Sequence, residues 1–195
     1  KLNINILPPN INKSNTEFIA QDSNTIEYGL AAIKNVGYKS TQKLVQYRKK
    51  HGDFKTIFDL CKIGSQSMNK KVLESLIKSG ACDSLEGTRA QLYSLIDSAL
   101  KFGQRYHDDH NSNQSNLFSS TDNSTYSYPQ LPDIEDWNAK EQLNNEKEVL
   151  GFYLSGNPLK EHLDALTNFT NIGIINSDQM KFNKYKVGGR IFDVK

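Results

Sequence analysis

A short turn, Asn35-Val36-Gly37, carries the first candidate chemistry in the sequence. It lies between two segments with helical spacing of apolar residues, and Lys39 and Ser40 follow it in the first turn of the second segment. The first backbone N–H groups of a helix have no partner inside the helix, and the helix dipole places partial positive charge beside them. A phosphate group therefore fits at this turn. Gly37 suits a backbone that approaches the phosphate closely or needs a positive φ.

A second turn of this kind, Lys78-Ser79-Gly80-Ala81, ends an amphipathic segment farther along the chain. Two such turns would form a pseudo-symmetric pair, each facing one strand of a nucleic-acid duplex. The alternative is that both are ordinary helix ends on a solvated face. Residues 34–78 contain 11 basic and 3 acidic residues, which favours polyanion binding. The predicted DNA-binding residues are Lys34, Asn35, Val36, Gly37, Tyr38, Lys39, Ser40, Lys43, Lys78, Ser79, Gly80 and Ala81.

A third candidate is the peptide Gln114-Ser115-Asn116-Leu117-Phe118, which lies in a polar segment rich in Asn and Ser. Leu117 and Phe118 have no nearby apolar segment to pack with, so they are candidates to fill a pocket on a partner protein. The amide of Gln114 would then form a hydrogen bond at the rim of that pocket.

Composition narrows the remaining possibilities. The chain has 195 residues and a net charge of +2, but residues 1–102 carry a net +6 and residues 103–195 a net −4. Cys61 and Cys82 are far apart, which excludes a disulfide framework or a cysteine zinc site and is typical of a reducing cytosol. No constellation typical of a catalytic or metal centre is present. The sequence shows neither a signal peptide nor a membrane span, and the missing initiator Met predicts a piece of a longer protein.

Apolar periodicity and turn residues predict a mainly α fold. Residues 1–28 are expected to form an extended lead-in and a small β-hairpin, and residues 29–106 a helical module with both turns. A mobile linker is predicted over 107–136, a helical segment over 137–167, and a strand near the end of 168–195, with no following strand to pair with.

The order of these features resembles the alpha subunit of bacterial DNA polymerase III. The strings that carry the resemblance are LPPNIN (7–12), YGLAAIKNVG (28–37), FDLC (58–61), NKKVLESLIKSGA (69–81) and EKEVLGFYLSGNPL (146–159). The resemblance covers essentially the whole chain. Asn35 stands where Gly is common in that family, and Asn tolerates a positive φ.

The resemblance implies a tandem helix-hairpin-helix module over 29–106, a sliding-clamp peptide at Gln114, Leu117 and Phe118, and the start of a truncated OB-fold over 168–195. It implies a cytoplasmic DNA-directed DNA polymerase, a nucleotidyltransferase whose catalytic centre and Mg²⁺ lie outside this segment. No cofactor is expected within the segment. The implied partners are primer–template duplex DNA, the sliding clamp and other replicase subunits, with no membrane.

Two other functions remain open from the residues alone. The turns also suit a DNA-binding piece of a repair nuclease or ligase. A purely scaffolding helical module, whose positive segment is only a solvated face, is the third possibility. Duplex titration at two salt concentrations separates scaffolding from the other two.

Overall fold

The computed structural model describes residues 4–111 and 128–160. Within these ranges most of the ordered chain is helical, and the prediction of a mainly α fold is confirmed. The helices are α1 (Tyr38–His51), α2 (Ile57–Cys61), α3 (Lys70–Lys78), α4 (Arg89–Ser94), α5 (Ile96–Asn111) and α6 (Ala139–Leu150).

A three-stranded sheet precedes the helices, with strands β1 (Asn5–Leu7), β2 (Ile19–Ala20) and β3 (Thr25–Glu27). Strand β3 is central and pairs antiparallel with β2, so that Ile26 lies opposite Ala20. The predicted hairpin is therefore confirmed. Strand β1 adds a parallel pairing to β3, with Ile6 opposite Ile26, where the sequence predicted only an extended lead-in.

Several helices begin where a side chain satisfies an unpaired backbone N–H group. Thr56 and Asp59 form a capping box at the start of α2. The Asn69 side chain accepts a hydrogen bond from the Val72 N–H at the start of α3, and Asn138 does the same for α6. These caps depend on residues three positions apart, which is why the local sequence predicts them.

The first hairpin differs from its predicted form, because only a 3₁₀ turn, Leu30–Ala32, precedes it in place of an α-helix. The N–H groups of Leu30 and Ala31 donate to the carbonyls of Asn15 and Thr16 in the N-terminal loop. These long-range bonds give the N–H groups of the turn their acceptors. The turn is three residues long, which is too short to nucleate an α-helix.

The segment after Gly87 forms two helices, α4 and α5, with Leu95 between them. The Ser94 hydroxyl donates to the Gln91 carbonyl at 2.7 Å, a local bond that competes with regular helix hydrogen bonding at the break. Leu95 and Ile96 are both buried, so the division keeps the core continuous.

Both ends of the segment predicted as a linker, residues 107–136, are ordered against the helices. Helix α5 continues to Asn111. Tyr128 stacks on Phe58 with ring centroids 5.0 Å apart, and the Asp136 carboxylate accepts a hydrogen bond from the Ala90 N–H. Residues 112–127 lie outside the described ranges. The sequence missed these contacts because they join positions more than 40 residues apart.

Helix α3 is central to the core, and one face of it is buried along its whole length by Val72, Leu73, Leu76 and Ile77. Helices α2 and α5 approach each other closely at Gly103, where a Cβ atom would lie 2.6 Å from the Cys61 carbonyl oxygen. This core holds the N-terminus of α1 and the turn after α3 in fixed positions.

The chain divides into the units Lys1–Leu154 and Ser155–Lys195. In the second unit, the part described contains a turn in which Asn157 accepts hydrogen bonds from the N–H groups of Leu159 and Lys160. The end of the predicted 137–167 helical segment and the predicted OB strand lie beyond residue 160, outside the described ranges. None of the helices in 4–111 and 128–160 is long and apolar enough to cross a membrane.

Candidate nucleic-acid interface

The N-terminus of α1 receives no side-chain cap from the described residues. Gly37 is the N-cap residue, it provides no side-chain hydrogen bond, and the first turn contains no acidic residue. The N–H groups of Ser40 and Thr41 both donate to the Gly37 carbonyl, at 3.0 and 3.1 Å. Within the described residues, no group accepts a hydrogen bond from the N–H of Gly37, Tyr38 or Lys39. Three adjacent donors therefore remain available to an anion.

The sequence offered two reasons for a glycine at position 37, close approach to a phosphate and a positive φ, and the backbone conformation of the turn distinguishes them. Gly37 has an extended conformation, with φ −71° and ψ 150°, so it does not need a positive φ. The positive φ, 66°, belongs to Asn35, a residue type that tolerates this conformation. The space beside Gly37 is open, because a Cβ atom there would meet nothing within 4 Å. The role of Gly37 that the structure supports is close approach.

Contacts from three other parts of the fold hold the turn in place. Val36 is buried, with 3% of its surface exposed. The Asn35 side-chain amide donates to the Ser75 hydroxyl of α3 at 3.1 Å, and the Lys34 N–H donates to the Val149 carbonyl of α6 at 2.9 Å. Val36 is thus an anchor in the core, and the residues on either side of it are presented to solvent.

The charge around the turn is positive and exposed. Lys34, Lys39 and Lys43 are all solvent-exposed, as is the Tyr38 side chain. The Tyr38 hydroxyl donates to the Glu17 carboxylate at 3.2 Å, and this hydrogen bond raises the pKa of Tyr38. Of the predicted first-hairpin residues, Val36 is buried and Ser40 is partly buried, whereas the others are exposed at or near the N-terminus of α1: Lys34, Asn35, Gly37, Tyr38, Lys39 and Lys43.

The second turn has the predicted glycine conformation but no available donors. Gly80 has φ 79°, and the N–H groups of Ser79, Gly80 and Ala81 all donate to carbonyls of α3 at 3.0 Å. Ser79 and Ala81 are buried. The Lys78 ammonium forms an ion pair with Glu148 of α6 at 2.8 Å. The two turns are thus structurally unequal.

An ion-pair network that the sequence did not predict covers the second turn. The Arg89 guanidinium contacts Asp83 through two hydrogen bonds, at 2.8 and 2.7 Å, and Glu146 of α6 through a third at 3.1 Å. Burial acts to lower the pKa of Arg89, but the hydrogen bonds and charges of the two carboxylates outweigh it and the pKa is raised. A Cβ atom on Gly80 would collide with this guanidinium. No local signal predicts the network, because Arg89 and Glu146 are 57 residues apart.

The predicted clamp-binding residues Gln114, Leu117 and Phe118 lie outside the described residues.

The helical module matches a known protein family. Residues 3–92 match the family described as the helix-hairpin-helix motif. This match includes both turns and all of α1 to α3.

Comparison with curated proteins extends the similarity to nearly the whole chain. The chain is 34% identical over 175 residues to the DNA polymerase III subunit alpha of Vibrio cholerae. The aligned region covers 87% of this chain and 15% of that protein. It is 35% identical over 206 residues to the subunit of the same name from Buchnera aphidicola, which covers 100% of this chain and 17% of that protein.

The resemblance to the alpha subunit of bacterial DNA polymerase III is confirmed. The Xylella fastidiosa subunit alpha is similar in the same way, at 36% identity over 159 residues and 80% of this chain. The chain spans only 13 to 17% of the length of these three relatives. The similarity therefore concerns one segment of a much longer polymerase subunit alpha.

Proposed function

We propose that the uncapped end of α1 binds the sugar–phosphate backbone of duplex DNA without reading its sequence. The observation that carries the proposal is the set of three backbone N–H donors on Gly37, Tyr38 and Lys39, which have no acceptor among the described residues. The space beside Gly37 is open, and this part of the chain matches the helix-hairpin-helix family. Lys34, Lys39 and Lys43 add attraction for phosphate, and no base-reading element is needed for that contact. The second turn stabilises the module in this account, because its N–H groups already have partners.

In the whole protein, this segment would hold primer–template duplex during template-directed DNA synthesis. The names of the relatives, DNA polymerase III subunit alpha, support the polymerase alternative over a repair nuclease or ligase. The catalytic centre and its Mg²⁺ are proposed to lie in other parts of such a subunit.

A duplex titration tests the hairpin proposal. The variant carrying Lys39→Glu and Lys43→Glu replaces two exposed cations of α1 by anions. We expect its affinity for a fluorescein-labelled duplex to fall steeply, and its salt dependence to weaken by roughly two phosphate contacts, about 1.8 in the slope of log K against log salt. Lys140→Glu on α6 makes a charge change of the same kind at an exposed site away from the turn and is the control. Equal binding by the α1 variant and the control would refute the hairpin assignment.

We also propose that the peptide at Gln114, Leu117 and Phe118 docks on the sliding clamp. Such a tether would raise the local concentration of the polymerase at the primer end. The support is the apolar Leu117-Phe118 pair within a polar segment, together with the similarity to subunit alpha.

The clamp proposal is tested by surface plasmon resonance on immobilised clamp. Leu117→Ala with Phe118→Ala should abolish capture, and Tyr126→Ala, outside the peptide, should leave it unchanged. An unchanged affinity in the double variant would remove the docking proposal and leave the DNA proposal intact.

A further inference from the structure

An open groove on the module begins at Lys43 of α1. Its volume is about 1010 Å³, and it lies between α1, the turn joining α2 to α3, and one side of α5. Lys43 therefore belongs both to the first hairpin and to this groove. The groove is also lined by the basic residues Lys70 and Lys101, the acidic residues Asp97 and Asp108, and Gly64, Ser65, Gln66, Gln104 and His107.

The side chains of the groove suit a polyanion better than a small apolar ligand. Pockets for small molecules are mostly enclosed and apolar, whereas phosphate contacts are made by Lys, Ser and Gln side chains on open surfaces. Lys70 is paired with Asp97 at 2.9 Å. Lys43 and Lys101 form no ion pair with any of the described residues. Among the described residues, the groove therefore has two cations without an ion pair, Lys43 and Lys101, against one such carboxylate, Asp108, beside exposed Ser65 and Gln66.

One buried polar atom in the groove also lacks a partner. The Nε2 atom of His107 is buried and has no hydrogen-bond partner among the described residues. It lies beside Gly64, 3.5 Å from the position that a Cβ atom there would take. A buried polar atom without a partner is unfavourable, and a polar ligand in the groove would remove that cost only by moving close enough to contact Nε2.

We propose that this groove is a second phosphate-binding surface for the duplex that the first hairpin holds. The inference rests on the proposed function. Lys43 is six residues beyond Gly37, about 9 Å along α1 at 1.5 Å per residue. Each strand of B-DNA carries one phosphate per about 3.4 Å of helix axis and winds around that axis as it rises, so about one or two phosphates pass along that length of backbone. A backbone that follows α1 from the hairpin therefore reaches the groove at Lys43 and continues towards Lys101 of α5.

The test compares neutral variants of the full chain in duplex binding over a series of KCl concentrations. Lys101→Gln removes a groove cation that has no role in the hairpin, and Lys140→Gln on α6 is the matched control. Loss of one phosphate contact lowers the salt slope by about 0.9, which weakens binding about 8-fold at roughly 0.1 M salt. We expect that change in Lys101→Gln and none in Lys140→Gln. Unaltered thermal unfolding of Lys101→Gln confirms that the fold is intact.

Lys39→Gln separates failure of the groove from failure of the hairpin. If Lys39→Gln weakens binding and Lys101→Gln matches the control, the groove proposal is overturned and the hairpin stands. If only Lys101→Gln weakens binding, the groove binds phosphate but the hairpin proposal fails. If neither does, both proposals fail. If both surfaces hold one duplex, the magnitude of the slope of log K against log salt should fall by about 1.8 in the variant carrying both Lys39→Gln and Lys101→Gln. A fall no larger than that of either single variant would contradict binding of one duplex by both surfaces.

Discussion

The buried carboxylate of Glu146 provides a stringent test of how the module is held together. Glu146 projects from α6, and 2% of its side chain is exposed. It accepts hydrogen bonds from the Arg89 guanidinium at 3.1 Å and from the Leu154 N–H at 3.3 Å. Glu146→Gln keeps the shape of the side chain but removes its charge from a guanidinium that is itself only 12% exposed.

The expected cost follows from what remains around Arg89. Breaking a buried ion pair costs about 3–5 kcal/mol when the remaining charge has no partner. Here Asp83 keeps its two hydrogen bonds to Arg89, so the charge is still compensated. The loss then approaches that of one hydrogen bond to a charged group, and we expect the free energy of unfolding to fall by about 2 kcal/mol.

Asp97→Asn is the control for an exposed ion pair. Asp97 pairs with Lys70 at 2.9 Å, with 68% of the Asp97 side chain and 56% of the Lys70 side chain exposed, and an exposed ion pair contributes about 0–1 kcal/mol. Urea unfolding followed by fluorescence measures both variants, since Trp137 is the single tryptophan and packs on Tyr93 with ring centroids 5.5 Å apart. If the two variants differ by less than about 0.5 kcal/mol at equal m-values, the structural role assigned to Glu146 is refuted.

Two further predictions concern glycine conformation and acid stability. Gly80→Ala should destabilise the protein by more than Gly151→Ala in urea unfolding. Both glycines have a positive φ, which costs an alanine about 1–2 kcal/mol, but a Cβ atom at Gly151 meets nothing within 4 Å whereas one at Gly80 meets the Arg89 guanidinium. Equal losses would contradict that contact. Burial acts to raise the pKa of Asp59, but the hydrogen bonds from Lys62 and the backbone outweigh burial and lower the pKa. The ionised Asp59 therefore stabilises the fold fully above its unfolded pKa of about 3.9, and this stabilisation is lost as the pH falls through its folded pKa. The stability gap between wild type and Asp59→Asn should therefore narrow in acid urea titrations, and a gap that widens there would refute the assignment.

Local signals in the sequence predicted much of the helical module. The Thr56 and Asn138 caps depend on residues three positions away, and the positive φ of Asn35 reflects an intrinsic tolerance of asparagine. Each of these features depends on residues within one helical turn of one another, so the local sequence is enough to predict it.

The features that the sequence missed depend on contacts between distant parts of the chain. The parallel pairing of β1, the packing of Tyr128 on Phe58 and the network between Arg89 and Glu146 have no local signature. For the site, the sequence placed DNA-binding residues at both turns. Only the three-dimensional packing shows that the N–H groups after α3 have internal partners while those at Gly37 do not.

The position of duplex DNA against the first hairpin is the central claim, and backbone amide shifts measure it most directly. In ¹H–¹⁵N correlation spectra titrated with duplex, we expect the largest shifts at the N–H groups of Gly37, Tyr38 and Lys39, which have no acceptor among the described residues. The N–H groups of Gly80 and Ala81 should change little because α3 carbonyls already accept from them. Large shifts at Gly80 and Ala81 with none at Gly37 to Lys39 would contradict the account.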